Sequence, residues 1–126
     1  MKMVLLSAAG GAIGAAGRYL VGVGAVRLLG YGFPWGTLIV NVTGGFLMGV
    51  IIELMALKYS ASNEVRTFLT TGILGGFTTF SAFSLDCAIL FERKEHISLL
   101  FYLLGSVSLS ILALFAGLSF VRQFTQ

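Results

Sequence analysis

Four long apolar segments divide this chain and restrict its fold to a bundle of membrane-spanning helices. They cover residues 4–26, 37–57, 65–91 and 98–121, and each reaches the roughly 20 apolar residues that a helix needs to cross a bilayer. Only 10% of the residues are charged, whereas soluble domains average about 25%. The sequence therefore predicts an all-α membrane protein with four transmembrane helices in a single domain, residues 1–126.

The start of the chain admits a second interpretation. Lys2, the apolar residues after it and the small residues before Arg18 are also typical of a secretory signal. Apolar sequence continues beyond Arg18 as far as Val26, which favours a spanning helix over a cleaved signal.

Small residues recur at a spacing of four in the first two segments, at Gly10 and Gly14 and again at Gly45 and Gly49. This small-xxx-small pattern lets helix backbones approach closely. We interpret these glycines as packing positions. Because four short helices enclose little volume, we also expect the protein to form an oligomer.

Several classes of function are excluded by the residue content. Cys87 is the only cysteine and His96 the only histidine, so neither an intrachain disulfide nor a Cys/His zinc site is possible. Asp86 and Glu53 have no carboxylate partner at helical spacing, and no nucleophile is paired with a base, so we expect no enzyme. The net charge of +3 contains no basic run longer than Arg93-Lys94. The charges therefore suit lipid headgroups and give no sign of nucleic acid as a partner.

The basic residues are almost equally divided between the two sides of the predicted bundle. With an even number of spans both termini lie on one side, and the Lys/Arg difference between sides sets the orientation. A chain without such a bias can insert both ways and pair as an antiparallel dimer, although other signals also orient balanced proteins. The terminal side carries Lys2, Lys58, Arg66 and Arg122, and the other side carries Arg27, Arg93, Lys94 and, if it reaches that interface, Arg18.

The third segment contains an unusual row of glycines, hydroxyls and phenylalanines from Gly75 to Ser84. Backbone that leaves the helix at membrane depth is tolerated only where protein or a water-filled cavity covers it. Gly75-Gly76 permits unwinding at low steric cost. The row therefore predicts a broken third helix that lines a site.

Aromatic and hydroxyl side chains in this row suit a small anion. Phe80 and Phe83 are three residues apart and share a helix face, and the positive edge of an aromatic ring faces an anion. Ordinary packing of phenylalanine is the alternative, but interleaving with Thr79 and Ser81 favours a polar track. Ser106 and Ser110 share a face of the fourth helix and extend the hydroxyl set.

Two other polar residues lie inside spans. Asn41 is either a hydrogen-bonding contact between helices or an anion ligand through its amide N–H. Arg18 either snorkels to an interface, caps backbone carbonyls of a neighbouring helix, or attracts anions to a vestibule.

These motifs together resemble the Fluc/CrcB family of fluoride channels over essentially the whole chain. The landmarks occur in the family's order: Gly14 to Arg18, Pro34-Trp35-Gly36-Thr37, Asn41-Val42-Thr43-Gly44-Gly45, Thr71 to Ser84, and the serines of the fourth segment. The resemblance implies a passive fluoride channel of the cell inner membrane. It also implies an antiparallel, dual-topology homodimer with two pores and a central structural sodium ion.

The resemblance also implies roles for individual residues. The carbonyls of Gly75 and Thr78 match a sodium site at the helix break, while Arg18 and Thr37 match vestibule positions. Pore-lining positions match Asn41, Thr79, Phe80, Ser81, Phe83 and Ser110.

Two departures from the family pattern concern the polar track. Ala82 stands where threonine is frequent, which removes one hydroxyl, and Asp86 stands where glutamate is common.

Two other classes of protein compete with a channel. A small dual-topology multidrug exporter needs a carboxylate deep in its first helix, where this chain has Arg18 instead. A non-transporting scaffold subunit explains the glycines but leaves the Thr/Ser/Phe row without a purpose.

Overall fold

The computed structural model describes residues 1–125, and all regular structure in that part of the chain is helical. The elements are α1 (Lys2–Leu29), α2 (Trp35–Leu57), α3 (Asn63–Arg66), a π-helical segment (Thr67–Leu74), α4 (Gly75–Phe77), α5 (Phe80–Glu92) and α6 (His96–Thr125). Four helical stretches of the described chain are long and apolar enough to cross a membrane: α1, α2, Asn63–Glu92 and α6. The prediction of an all-α protein with four membrane spans is confirmed.

Local sequence explains where several of these helices begin and end. α2 begins directly after Pro34, whose fixed φ suits a helix start. α3 begins after Ser62, and the Ser62 hydroxyl accepts a hydrogen bond from the Val65 N–H at 3.2 Å. α1 ends at Leu29, and the capping residue Gly30 has φ of +81°, a conformation that glycine adopts without strain.

The first helix packs backbone to backbone against the third span. A Cβ added to Gly10 would lie 2.8 Å from the Gly72 Cα, and one added to Gly76 would lie 2.5 Å from the Gly11 carbonyl oxygen. A Cβ on Gly14 would overlap the backbone of the third span in the same way. The predicted packing role of Gly10 and Gly14 is confirmed, because any side chain there would push the two helices apart.

A second tight seam joins α2 and α6. A Cβ on Gly45 would lie 2.7 Å from the Ser110 carbonyl oxygen, and one on Gly49 would overlap the backbone of α6. At one end of the seam the Arg122 guanidinium donates to the Glu53 carboxylate, which is buried. The predicted packing role of Gly45 and Gly49 is confirmed.

Between α4 and α5 the backbone of the third span becomes extended for two residues. Thr78 has φ −90° and ψ 159°, and Thr79 has φ −156° and ψ 125°. We expected a break within the row from Gly75 to Ser84, where Gly75-Gly76 permits unwinding. Both glycines are helical, and the extended residues are the two threonines that follow Phe77. Gly76 is needed for its contact with α1, and the change of backbone direction falls on the two threonines.

Candidate functional site

The extended pair of residues is held by one side chain of α2. Asn41 Oδ1 accepts a hydrogen bond from the Thr79 N–H at 2.8 Å, and Asn41 Nδ2 donates to the Thr79 carbonyl at 3.0 Å. Backbone polar groups without a partner are costly away from water. The Asn41 amide therefore replaces the helical hydrogen bonds that Thr79 lacks.

Two threonine hydroxyls complete the ends of the neighbouring helices. Thr78 Oγ1 donates to the Leu74 carbonyl at 2.9 Å, and the Thr78 N–H donates to the same carbonyl at 3.0 Å. Thr79 Oγ1 accepts from the Ala82 N–H at 3.1 Å and so caps the start of α5. Each threonine thus has a side-chain bond that stabilises the backbone next to the interruption.

These side-chain hydrogen bonds occupy two N–H groups that, in a continuous helix, would donate to the Gly75 and Thr78 carbonyls. In a continuous helix the Thr79 N–H would donate to the Gly75 carbonyl and the Ala82 N–H to the Thr78 carbonyl. Instead they donate to Asn41 and to the Thr79 hydroxyl. The Gly75 and Thr78 carbonyl oxygens are thereby released from the helical pattern.

A groove of about 440 Å³ lies beside the interruption, between α2, α5 and α6. We call it the main groove. It brings together five of the six residues expected to line a pore, and Ser81 is the exception. Its lining includes Asn41, Thr79, Phe80, Phe83 and Ser110, together with Thr78 and Ser106.

Aromatic rings form a continuous row that starts at this groove. The centroids of Phe80 and Phe83 are 5.7 Å apart, and those of Phe83 and Tyr102 are 5.1 Å apart. Phe33 meets Tyr102 edge-on at 5.4 Å. Phe80 is 77% exposed, whereas Phe83 and Tyr102 are buried, so the row runs from the surface of the chain into its interior and reaches the partly buried Phe33.

One hydroxyl in the groove is buried without a hydrogen-bond partner. Ser106 is 4% exposed, and its Oγ has neither a donor nor an acceptor within the described residues. Buried polar atoms are ordinarily paired. Since Tyr102, Ser106 and Ser110 are spaced by four, they form a polar stripe along α6 that ends in the main groove.

Tyr102 is a functional candidate that the sequence reasoning did not select. It is fully buried, and its hydroxyl donates to Asp86 Oδ2 at 2.8 Å. The signal was present, since Tyr102 continues the spacing of Ser106 and Ser110 on one helix face. The shorter Asp86 side chain is thus long enough to reach across from α5 to α6.

Arg18 bonds to the third span, as expected for a residue that caps the carbonyls of a neighbouring helix. Its Nε donates to the Gly76 carbonyl at 3.2 Å. Arg18 also lines an open groove of about 520 Å³ with Thr37, Thr79 and Ala82. The two expected vestibule residues are therefore together, and the methyl of Ala82 stands in place of a hydroxyl at this groove.

A third groove lies beside the interruption. It measures about 560 Å³ and joins Arg18 with Gly75, Thr78 and Ser81. Thr79 and Phe80 line both this groove and the main groove, whereas Ser81 lines only this one of the two. Within residues 1–125 no group of three His, Cys, Asp or Glu side chains could hold a metal ion.

A comparison with known protein families matches most of the chain, including the residues of this site. A family model described as "CrcB-like protein, Camphor Resistance (CrcB)" matches residues 5–118. The chain belongs to this family. The resemblance that we drew from the sequence motifs is confirmed, and with it the prediction that the protein is not an enzyme.

Individual CrcB-family relatives match over nearly their full length. The "Fluoride-specific ion channel FluC" of Agrobacterium fabrum is 56% identical over 123 residues, which cover 98% of both chains. The protein of the same name from Rhizobium etli is 57% identical over 122 residues, 97% of this chain and 98% of the relative. The one from Rhizobium meliloti is 54% identical over the same shares.

Proposed function

We propose that this chain forms a passive, fluoride-selective channel that exports cytoplasmic fluoride across the cell inner membrane. The names of its full-length relatives support this substrate. The observation that carries the proposal is the main groove, where an amide, hydroxyls and phenylalanine rings meet beside a helix interruption. Amides, hydroxyls and ring edges are typical of an anion path. The groove residues named above include no nucleophile paired with a base, as a catalytic site would need.

The groove offers the kind of donors that fluoride requires. Fluoride is small and strongly hydrated, so its water must be replaced by several close donors. Ser106 Oγ is unpartnered and Ser110 lines the same surface, while Asn41 Nδ2 has a second hydrogen besides the one bonded to Thr79. The edges of Phe80 and Phe83 carry partial positive charge. A narrow path with fixed donors disfavours the larger chloride ion.

A second copy of the chain completes this path in the proposal. The main groove is open in a single chain, and the Phe80 ring at its edge is 77% exposed. The balanced Lys/Arg distribution supports insertion in both orientations, and hence an antiparallel homodimer. Because two-fold symmetry gives two copies of every groove, such a dimer holds two pores.

The interruption suits a structural sodium ion shared by the two chains. The Gly75 and Thr78 carbonyls are released from helical bonding because their usual donors bond elsewhere. Hard cations prefer oxygen ligands, and two carbonyls from each chain supply four. When bound, sodium neutralises part of the field of these carbonyls. The residues of this chain hold the backbone in place, and the ion is not transported with fluoride.

The two competing classes find less support. A coupled exporter of the multidrug type needs a carboxylate deep in its first helix, and α1 has no Asp or Glu between Lys2 and Leu29. A scaffold subunit has no need for an unpartnered hydroxyl in a groove. Neither class accounts for the grouping around Asn41.

Fluoride efflux from proteoliposomes, followed with a fluoride electrode, tests the proposal. We expect purified protein to release fluoride rapidly, with no measurable chloride release under matched gradients. Exhaustive sodium removal should lower the flux, yet a sodium gradient alone should not move fluoride uphill. Equal release of both anions, or no release of either, contradicts fluoride selectivity, and uphill movement contradicts a passive channel.

A further inference from the structure

Gly44 lies one helical turn after Asn41 on the face of α2 that meets the interruption, and it is buried. A Cβ added to Gly44 would overlap Cγ2 of Thr78 and lie 3.7 Å from the Thr78 Cβ. It would also lie 3.6 Å from the Phe77 ring. The absence of a side chain at Gly44 therefore makes room for one methyl group of Thr78.

Thr78 cannot easily turn this methyl away. Its Oγ1 donates to the Leu74 carbonyl at 2.9 Å, and rotation about χ1 moves the hydroxyl and the methyl together. β-branched side chains also have few acceptable χ1 rotamers. A rotation that clears α2 therefore breaks the bond to Leu74, and a rigid shift carries the extended backbone away from Asn41.

We propose that Gly44 is a positioning residue that fixes the Thr78 rotamer and, through it, the direction of the extended backbone at residues 78–79. Asn41 binds Thr79 by hydrogen bonds, and Gly44 leaves the space that the Thr78 methyl occupies. Both residues act from one face of α2. Gly44 also lines the main groove, but in this role it acts through Thr78. Only the expected effect of Gly44 on fluoride flux rests on the proposed function; the steric contact with Thr78 does not.

A double-mutant cycle between Gly44→Ala and Thr78→Ser tests the contact. Thr78→Ser removes Cγ2 and keeps the hydroxyl that bonds Leu74, so it removes the group that an alanine methyl would strike. We expect Gly44→Ala in the wild-type background to lower fluoride flux about tenfold, in line with one overpacked contact. It should also lower the midpoint of thermal unfolding in detergent by about 5 °C. In the Thr78→Ser background the same change should have little further effect on either quantity.

Gly45→Ala is the matched control, because its Cβ would meet the Ser110 carbonyl oxygen at 2.7 Å on the α6 side of the helix. Gly45→Ala should lower the fluoride flux and the unfolding midpoint by the same amounts with and without Thr78→Ser. If Gly44→Ala alone yields no folded dimer, recovery of monodisperse protein on adding Thr78→Ser supports the inference, and failure to recover contradicts it. Equal costs of Gly44→Ala in both backgrounds also overturn it. The thermal measurement decides the question even if the wild-type protein moves no fluoride, so failure of the proposed function remains distinguishable.

Discussion

The side-chain amide of Asn41 bonds to both backbone polar groups of Thr79, a residue 38 positions away. One side chain thus satisfies a donor and an acceptor that a continuous helix would have satisfied locally. In an apolar environment an unpaired group of this kind costs about 1–3 kcal/mol. Asn41 therefore stabilises the interruption and at the same time lines the main groove.

Asn41→Asp should reduce fluoride flux by about tenfold or more. The carboxylate still accepts from the Thr79 N–H, but it faces the Thr79 carbonyl without a donor and adds negative charge to the anion path. The loss of one partly buried hydrogen bond, at up to about 1–3 kcal/mol, predicts a lower unfolding temperature as well. Electrode efflux and thermal unfolding in detergent measure the two effects.

Thr43→Ala is the control for this change, since Thr43 lies two residues further along α2 with an exposed side chain. The free energy of unfolding of this variant should remain within about 0.5 kcal/mol of the wild-type value. Wild-type flux and stability in Asn41→Asp would show that the amide is dispensable for both roles.

The two groove phenylalanines should respond differently to replacement by isoleucine. Phe80→Ile should slow fluoride flux with little change in the packing of one chain, because the ring is 77% exposed. Phe83→Ile should slow flux and also destabilise the core by about 1 kcal/mol, because the ring packs against Tyr102. Phe101→Ile alters a ring that is 70% exposed outside the groove and serves as control. Equal flux in all three variants would mean that the groove rings only pack.

Reporter fusions to the C-terminus should reveal both orientations of the wild-type chain. Adding about three lysines to one side should bias insertion and abolish flux when that variant is expressed alone. Co-expression with a variant biased in the opposite direction should restore flux, because the two can then pair antiparallel. A wild-type C-terminus found on one side only is incompatible with dual topology.

The ion pair between Glu53 and Arg122 should contribute to the stability of the α2–α6 seam. Arg122→Ala leaves the buried Glu53 carboxylate without its partner, and we expect the free energy of unfolding to fall by about 1–2 kcal/mol. This lies below the range for fully buried pairs, because the arginine side chain is 54% exposed. The double variant with Glu53→Gln should recover part of this loss in thermal unfolding. Arg66→Ala, which changes an exposed cation of α3, is the control, and an equal loss there would mean that the pair adds nothing specific.

The four spans, the tight glycine seams and the family of the protein could be predicted from the sequence. Hydropathy over about 20 residues is a local property of the chain. The spacing of Gly10 with Gly14 and of Gly45 with Gly49 indicates close backbone contact in any partner arrangement. The hydroxyls of the Thr/Ser/Phe row mark the region of the site, because polar side chains inside a membrane span are costly in lipid.

The tertiary structure alone decided where the third span changes direction and which polar groups meet. Gly75-Gly76 permits unwinding, but the extended residues are Thr78 and Thr79, because Asn41 on another helix supplies the bonds that make them stable there. The bond from Tyr102 to Asp86 likewise depends on how α5 and α6 pack. Conformational freedom is encoded locally, whereas the choice among permitted conformations depends on partners that are distant in the chain.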